Sequence, residues 1–289
     1  MQIRSDLETL RAVMGRPTSS QPAAELEGIS LHDLFFMSQS LFRRANRLAI
    51  ELIDAPRELS SIAPDLELEW DDVQAVLEDT SNQIGTIVEA FGEGRADVPA
   101  PGESPGIGAT FTAILEANRQ IDHLLERRIR MTDVHGQVNR AIVFTAEILK
   151  RRGLEPVFPD PPEFEARKMP TDVYASLGEC MGIISGISGQ VGGPVLTLRS
   201  GELDPALIRS EDVYDLATLV VSHAASLSLD LGFEDPGEMP KPKYHPWMFP
   251  SHVFQRVGVL HAQLVSLEES VRSELEELGE TAPETAEGR

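Results

Sequence analysis

The chain contains long stretches in which apolar residues recur three and four positions apart, the spacing that places side chains on one face of an α-helix. Six of these stretches share one layout: a branched apolar residue near the start, here called the anchor, and a large apolar residue fourteen positions later. The anchors are Leu34, Val73, Val134, Val173, Val213 and Val253, and the later residues are Leu48, Ile87, Ile148, Ile187, Leu227 and Leu267. The pattern predicts six helices that each turn one face towards a core.

Positions four, seven and eleven after each anchor complete this face. They are apolar or small in every copy, as in Leu177, Cys180 and Ile184. Successive anchors are 39, 61, 39, 40 and 40 residues apart. Four of these spacings are nearly equal, which indicates an internal repeat, and the spacing of 61 marks an insertion. We therefore predict an all-α fold, either a helical bundle or an α-repeat array. Each unit of about 40 residues would be one long helix and a Pro/Gly-rich return linker.

An aspartate precedes five of the six anchors. These residues are Asp33, Asp72, Asp133, Asp172 and Asp212. An acid in the first turn of a helix meets the positive end of the helix dipole, and a Ser or Thr before that turn can accept hydrogen bonds from free N–H groups. The aspartates are thus expected to cap helices. The alternative is a row of acids at one end of the bundle that binds Ca²⁺ or a cationic surface.

The segments between the helices are rich in proline and glycine. Examples are residues 153–170, 189–208 and 230–250. Segments of this length can run back along a helix of about 30 Å, so that successive helices could be parallel. The chain divides into a short N-terminal helix and hinge at 1–20, a helical repeat domain at 21–276 with a flexible insertion at about 92–108, and an acidic flexible tail at 277–289.

The charge of the chain excludes several partners. Its formal net charge is −22, which repels nucleic acid and anionic lipid headgroups. The sequence contains no run of 18 apolar residues, the length that predicts a membrane span. If Met1 is the native start, the lack of a basic, apolar leader favours the cytoplasm, whereas removal of a leader before Met1 would imply the periplasm or the extracellular space.

Residues with catalytic or metal-binding chemistry do not form a known motif. A single cysteine, Cys180, rules out an internal disulfide and a cysteine-based zinc cluster, and its place on the apolar face predicts a buried thiol. The sequence lacks Gly-x-Ser-x-Gly and His-Glu-x-x-His. We assign no catalytic residue, metal ligand or cofactor. His223 and His261 lie near apolar faces, which favours hydrogen-bonded core histidines. A site between helices that uses His135, His223, His261 and nearby carboxylates is the alternative.

The most unusual segment is Lys241–Phe254, in which aromatic residues and lysines are separated by prolines. Aromatic and methionine side chains with a basic edge are typical of protein interfaces. The candidate interface residues are Lys241, Lys243, Tyr244, His245, Trp247, Met248 and Phe249. A linker pinned to the bundle by aromatic packing is the alternative interpretation.

These observations favour a non-enzymatic helical repeat protein that mediates protein–protein interaction or self-assembly, as a scaffold or structural subunit. Its partner would be another protein or a second copy of the chain. The alternative function is a helical protein, enzymatic or not, that binds a small molecule or a metal between its helices.

Overall fold

The computed structural model describes residues 2–17, 25–59, 68–95, 106–199, 205–233 and 247–280. Within these ranges the helices are α1 (Gln2–Val13), α2 (Leu31–Ile53), α3 (Trp70–Ala90), α4 (Ile107–Leu124), α5 (Met131–Arg151), α6 (Pro170–Gln190), α7 (Ser210–Asp230) and α8 (Pro250–Glu280). The predicted all-α fold is confirmed, and its architecture is a helical bundle. The insertion and the tail predicted from the sequence lie largely outside the described residues, at 96–105 and 281–289.

The predicted apolar face points into the core. All six helices α2, α3 and α5–α8 begin three residues before their anchors. Every anchor is 0 % exposed, and every residue fourteen positions later is at most 1 % exposed. The helices pack side by side as a bundle and do not stack as successive layers, as the units of a repeat array would. The period of about 40 residues therefore appears only as the spacing between the first residues of the helices.

The aspartates before the anchors cap their helices, as predicted. Each carboxylate accepts a hydrogen bond from the backbone N–H of the residue that precedes the helix. The distances are 2.6–2.9 Å for the pairs Ser30–Asp33, Glu69–Asp72, Arg130–Asp133, Met169–Asp172 and Arg209–Asp212. A Ser or Thr cap is present in α2, where the Ser30 hydroxyl accepts from the Asp33 N–H at 3.3 Å. Thr132 and Thr171 lie within the first turns of α5 and α6 and do not cap them, so the element shared by the five helices is the bond from the main chain to the aspartate.

The helices form two rings of four. In one ring α5 and α6 each pack against both α7 and α8, and in the other α1 and α2 each pack against both α3 and α4. A contact between α2 and α7 joins the rings. Leu7 and Leu10 of α1 are 0 % exposed, so the first helix belongs to the core.

Contacts along α5 and α8 show that these neighbours are parallel. Near their starts, Arg256 donates to Asn139 at 2.6 Å. Near their ends, Arg152 donates to Ser270 at 3.5 Å. The guanidinium of Arg151, at the end of α5, lies over the Phe233 ring just after α7, so α5 and α7 are parallel as well. Parallel neighbours require long connections, which explains the length of the linkers.

The linker between α5 and α6 returns along the surface of α8. The amide of Gln263 donates to the Val157 carbonyl at 2.7 Å, and that of Gln255 donates to the Pro162 carbonyl at 2.8 Å. A methyl group on Gly258 would lie 2.6 Å from the Pro162 ring, so only glycine lets the linker approach this closely. The linker therefore occupies a groove on the helix that separates α5 from α6.

A short β-ribbon is the one extended element that the described residues contain beside the helices. The strands β1 (Glu25–Glu27) and β2 (Thr197–Arg199) pair antiparallel, with Leu26 opposite Leu198. This ribbon ties the linker after α6 to the segment before α2. The sequence pattern did not predict it. None of the described helices combines the length and the apolar character that crossing a membrane requires.

Candidate functional site

The structure describes three of the seven candidate interface residues, and two of them are strongly exposed. Trp247 is 80 % exposed and Phe249 is 63 % exposed, whereas Met248 between them packs against the core. Lys241, Lys243, Tyr244 and His245 lie outside the described residues. A tryptophan with this exposure packs little against the described part of the chain.

The two exposed rings belong to a larger surface at the start of α8. Phe249 donates its N–H to Nδ1 of His252 at 3.2 Å, and the two rings are 5.8 Å apart. The ring of Phe164, 47 % exposed, lies 5.3 Å from His252 on its other side. Met169 is 61 % exposed and follows Lys168, whose N–H bonds Ser251 in the first turn of α8. We call Phe164, Met169, Trp247, Phe249 and His252 the aromatic patch.

The backbone around the aromatic patch is fixed. The N–H of Lys168 donates to the Ser251 hydroxyl at 3.0 Å, which joins the linker to the first turn of α8. The Lys168 ammonium lies 3.9 Å from the centroid of the Phe254 ring, a cation–π contact. These two contacts join the linker that carries Phe164 to the first turn of α8, next to Phe249.

A second surface feature is an open groove along α6, with a volume of about 980 Å³. We call it the α6 groove. Apolar side chains form its walls: Tyr174, Met181, Val195, Leu196 and Ile208. Glycines form its floor: Gly178, Gly182, Gly186 and Gly189. Glu179 supplies a negative charge at its edge.

Three charged side chains form a triad in the interior. The guanidinium of Arg44 on α2, 1 % exposed, donates to Asp122 of α4 at 3.0 Å and to Asp215 of α7 at 2.7 Å. It also donates to the Ser40 hydroxyl at 2.6 Å and lies 5.1 Å from the centroid of the Tyr214 ring. These partners enclose the guanidinium and leave no access for a substrate. The triad of Arg44, Asp122 and Asp215 holds the two rings of helices together.

Burial shifts the protonation of this triad. Loss of water raises the pKa of Asp122 to about 7, although the Arg44 charge opposes the shift. Burial likewise raises the pKa of Asp215 against the pull of Arg44. The single positive charge of Arg44 therefore compensates only one of the two carboxylates fully. Because its pKa is about 7, Asp122 is partly protonated near neutral pH.

A second buried cluster contains serine, histidine and aspartate but not the geometry of a catalytic triad. Nε2 of His223 lies 3.0 Å from Asp33, and both side chains are 1 % exposed. The hydroxyls of Ser30 and Ser222 donate to the Asp33 carboxylate at 2.8 and 2.9 Å. A nucleophilic serine would instead donate to the histidine. Burial opposes ionisation of Asp33, but His223 and the Ser30 hydrogen bonds prevail and lower its pKa. The cluster acts as a second link between α2 and α7.

The other candidates from the sequence are separate in space. His135 is buried on α5 and bonds Asn139 at 3.0 Å, and His261 is half-buried on α8. Over the described ranges, no three His, Cys, Asp or Glu side chains are grouped so that they could hold a metal ion. Cys180 is buried, as predicted, and burial raises its pKa to about 12, so its thiol is a poor nucleophile near neutral pH.

Of four buried polar residues that share one position of the pattern, sequence reasoning expected only His223 in the core and missed the other three. The position ten residues after the anchor carries Arg44, Gln83, His223 and Gln263 in four helices, and all four are at most 2 % exposed. The two glutamines bind the main chain in the same way, because Gln83 donates to the Ala55 carbonyl at 2.8 Å, as Gln263 does to the linker after α5. A polar residue ten positions after the anchor thus indicates a buried hydrogen bond or ion pair between segments of the chain.

Comparison with known proteins returned no match: no family model, no curated protein and no solved structure is significantly similar to the chain.

Proposed function

We propose that this protein is a non-enzymatic helical protein that binds another protein through the aromatic patch. The observation that carries the proposal is the exposure of Trp247 and Phe249 beside the first turn of α8, where the Phe249 N–H bonds His252. Exposed apolar clusters of this kind are typical of interaction surfaces, and aromatic residues supply most of the binding energy at their centres. The enclosed triad and the buried Asp33–His223 pair support the non-enzymatic part, because neither can be reached by a substrate.

A photo-crosslinking phenylalanine analogue at position 249 tests this proposal in cells that make the protein. We expect a discrete adduct with a specific protein, because a covered patch brings the partner within reach of the ring. The matched control is the same analogue at Phe158, which is 59 % exposed on the same linker as Phe164. Phe158 lies away from the aromatic patch, because the neighbouring Val157 carbonyl bonds Gln263 of α8. Gln263 is about 16 Å along that helix from His252.

The adduct should form at position 249 and not at position 158, and Trp247→Ala should reduce its yield. Equal yields at both positions, or no protein adduct at position 249, would show that the aromatic patch is not an interface.

The α6 groove supports a second candidate function, binding of a small apolar molecule. Its volume of about 980 Å³ and its apolar walls suit a ligand of drug size. Native mass spectrometry of protein purified from its source checks this candidate. A bound mass that is lost on denaturation supports it, and a spectrum of the bare chain argues against it.

A further inference from the structure

The α6 groove is an unfilled apolar surface that the rest of the described chain does not explain. Glycine within a helix costs up to about 1 kcal/mol relative to alanine, so a glycine floor needs a compensating contact. Gly258 on α8 has such a contact, since Pro162 packs against it. A methyl group on Gly178 or Gly182 would meet no atom of the described chain within 4 Å.

The aromatic patch supplies projecting apolar rings of the kind that such a groove accepts. Trp247 is 80 % exposed, so it does not enter the α6 groove of the same molecule. A projecting tryptophan and phenylalanine match a groove whose walls are Tyr174, Met181 and Ile208. Burial of such rings in a dry pocket is typical of the strongest positions in protein interfaces.

Charge favours the same pairing. Lys241 and Lys243, half of the four lysines in the chain, precede Trp247 closely in the sequence. Glu179 lies at the edge of the α6 groove. With a net charge of −22, most surfaces of two copies repel each other. Attraction between the two lysines that precede Trp247 in one copy and Glu179 in the other therefore favours the pairing of the patch with the groove.

We infer that Trp247 and Phe249 of one molecule insert into the α6 groove of a second copy of the chain. This inference rests on the proposed function and names the partner of the aromatic patch. The contact joins two different surfaces, so two copies can exchange their patches in a closed dimer or continue as a head-to-tail chain.

Complementation between two variants of the full chain tests the inference by sedimentation velocity. Trp247→Ala combined with Phe249→Ala removes the inserted rings and leaves the groove, whereas Gly182→Leu fills the groove and leaves the rings. Leucine is favourable in a helix, and Gly182 has open space around it, so the second variant should fold. Gly182→Ala controls for the change in helix propensity, and circular dichroism checks folding.

We expect the wild type to self-associate and each variant alone to lose about tenfold or more in affinity, the loss typical of a hot-spot residue. An equimolar mixture of the two variants should recover a heterodimer, because one supplies the rings and the other the groove. Gly182→Ala should associate more strongly than Gly182→Leu.

Other outcomes would overturn the inference. If Gly182→Leu associates like the wild type while loss of the two rings abolishes association, the patch is an interface but the groove is not its receptor. A wild type that stays monomeric at all concentrations removes the second copy as partner. A monomer destabilised by Gly182→Leu would mean that residues of the same chain fill the groove, and a small molecule displaced by that substitution would make the groove a ligand site.

Discussion

Replacing Arg44 by alanine is expected to lower the free energy of unfolding by about 3–5 kcal/mol, the cost of breaking a buried ion pair from one side. Arg44 compensates two buried carboxylates, Asp122 and Asp215, on two other helices. Without it both acids must either remain charged in a dry interior or bind protons at neutral pH. Urea denaturation followed by circular dichroism measures the loss. The control is Arg43→Ala, an exposed arginine on the same helix, which should change stability by at most about 0.5 kcal/mol.

The loss should depend on pH in a direction fixed by the raised pKa values. The pKa of Asp122 in the folded state, about 7, lies above its ordinary value. Proton binding to Asp122 therefore stabilises the folded state at low pH, and this stabilisation is lost as the pH rises towards 7. Arg44→Ala should therefore destabilise the protein more at pH 8 than at pH 5. Asp122→Asn removes the titrating group and should flatten the pH dependence over the same interval. An equal loss from Arg44→Ala at both pH values would contradict this description of the triad.

Replacing Leu48 by alanine is expected to cost about 2–5 kcal/mol, because it leaves a cavity in a close-packed interior. Leu48 is 0 % exposed at the position fourteen residues after the first anchor. Ile50, two residues along the same helix, is 47 % exposed and is the matched control, for which we expect a change of about 0.5 kcal/mol or less. Thermal or urea denaturation of the two variants distinguishes the positions. Similar losses for both would show that the apolar face is not oriented as described.

The sequence predicts the inward face of the helices well because helical periodicity depends on residues within a few turns of each other. Leu34 and Leu48 lie on one face of one helix whatever that helix packs against. The capping aspartates are predictable for the same reason, since Asp33 bonds Ser30 only three positions away.

The buried links were not predictable in this way, because their partners are far apart in the chain. Arg44 is 78 positions from Asp122 and 171 from Asp215, so no local pattern joins them. The β-ribbon was missed because a strand of three residues has no measurable alternation. Its pairing connects the segment after α1 to the linker after α6, which only the packed bundle brings together.

The aromatic patch was predicted in part. The proline-rich segment pointed to Trp247 and Phe249, and both are exposed. Phe164 and Met169 were missed, because the linker that carries them reaches the start of α8 only through the return path along that helix. The patch is thus assembled from two linkers that are neighbours in space and not in sequence.

The most direct test of the proposed interface is the accessibility of Trp247 as the protein associates. The chain has two tryptophans, so Trp70→Phe leaves Trp247 as the sole tryptophan fluorophore. Acrylamide quenching is then measured at rising protein concentration, alongside the sedimentation coefficient. We predict strong quenching in the monomer and a marked loss of quenching as the larger species forms. A Trp247 that stays equally quenchable in the assembled and the monomeric protein would contradict the account.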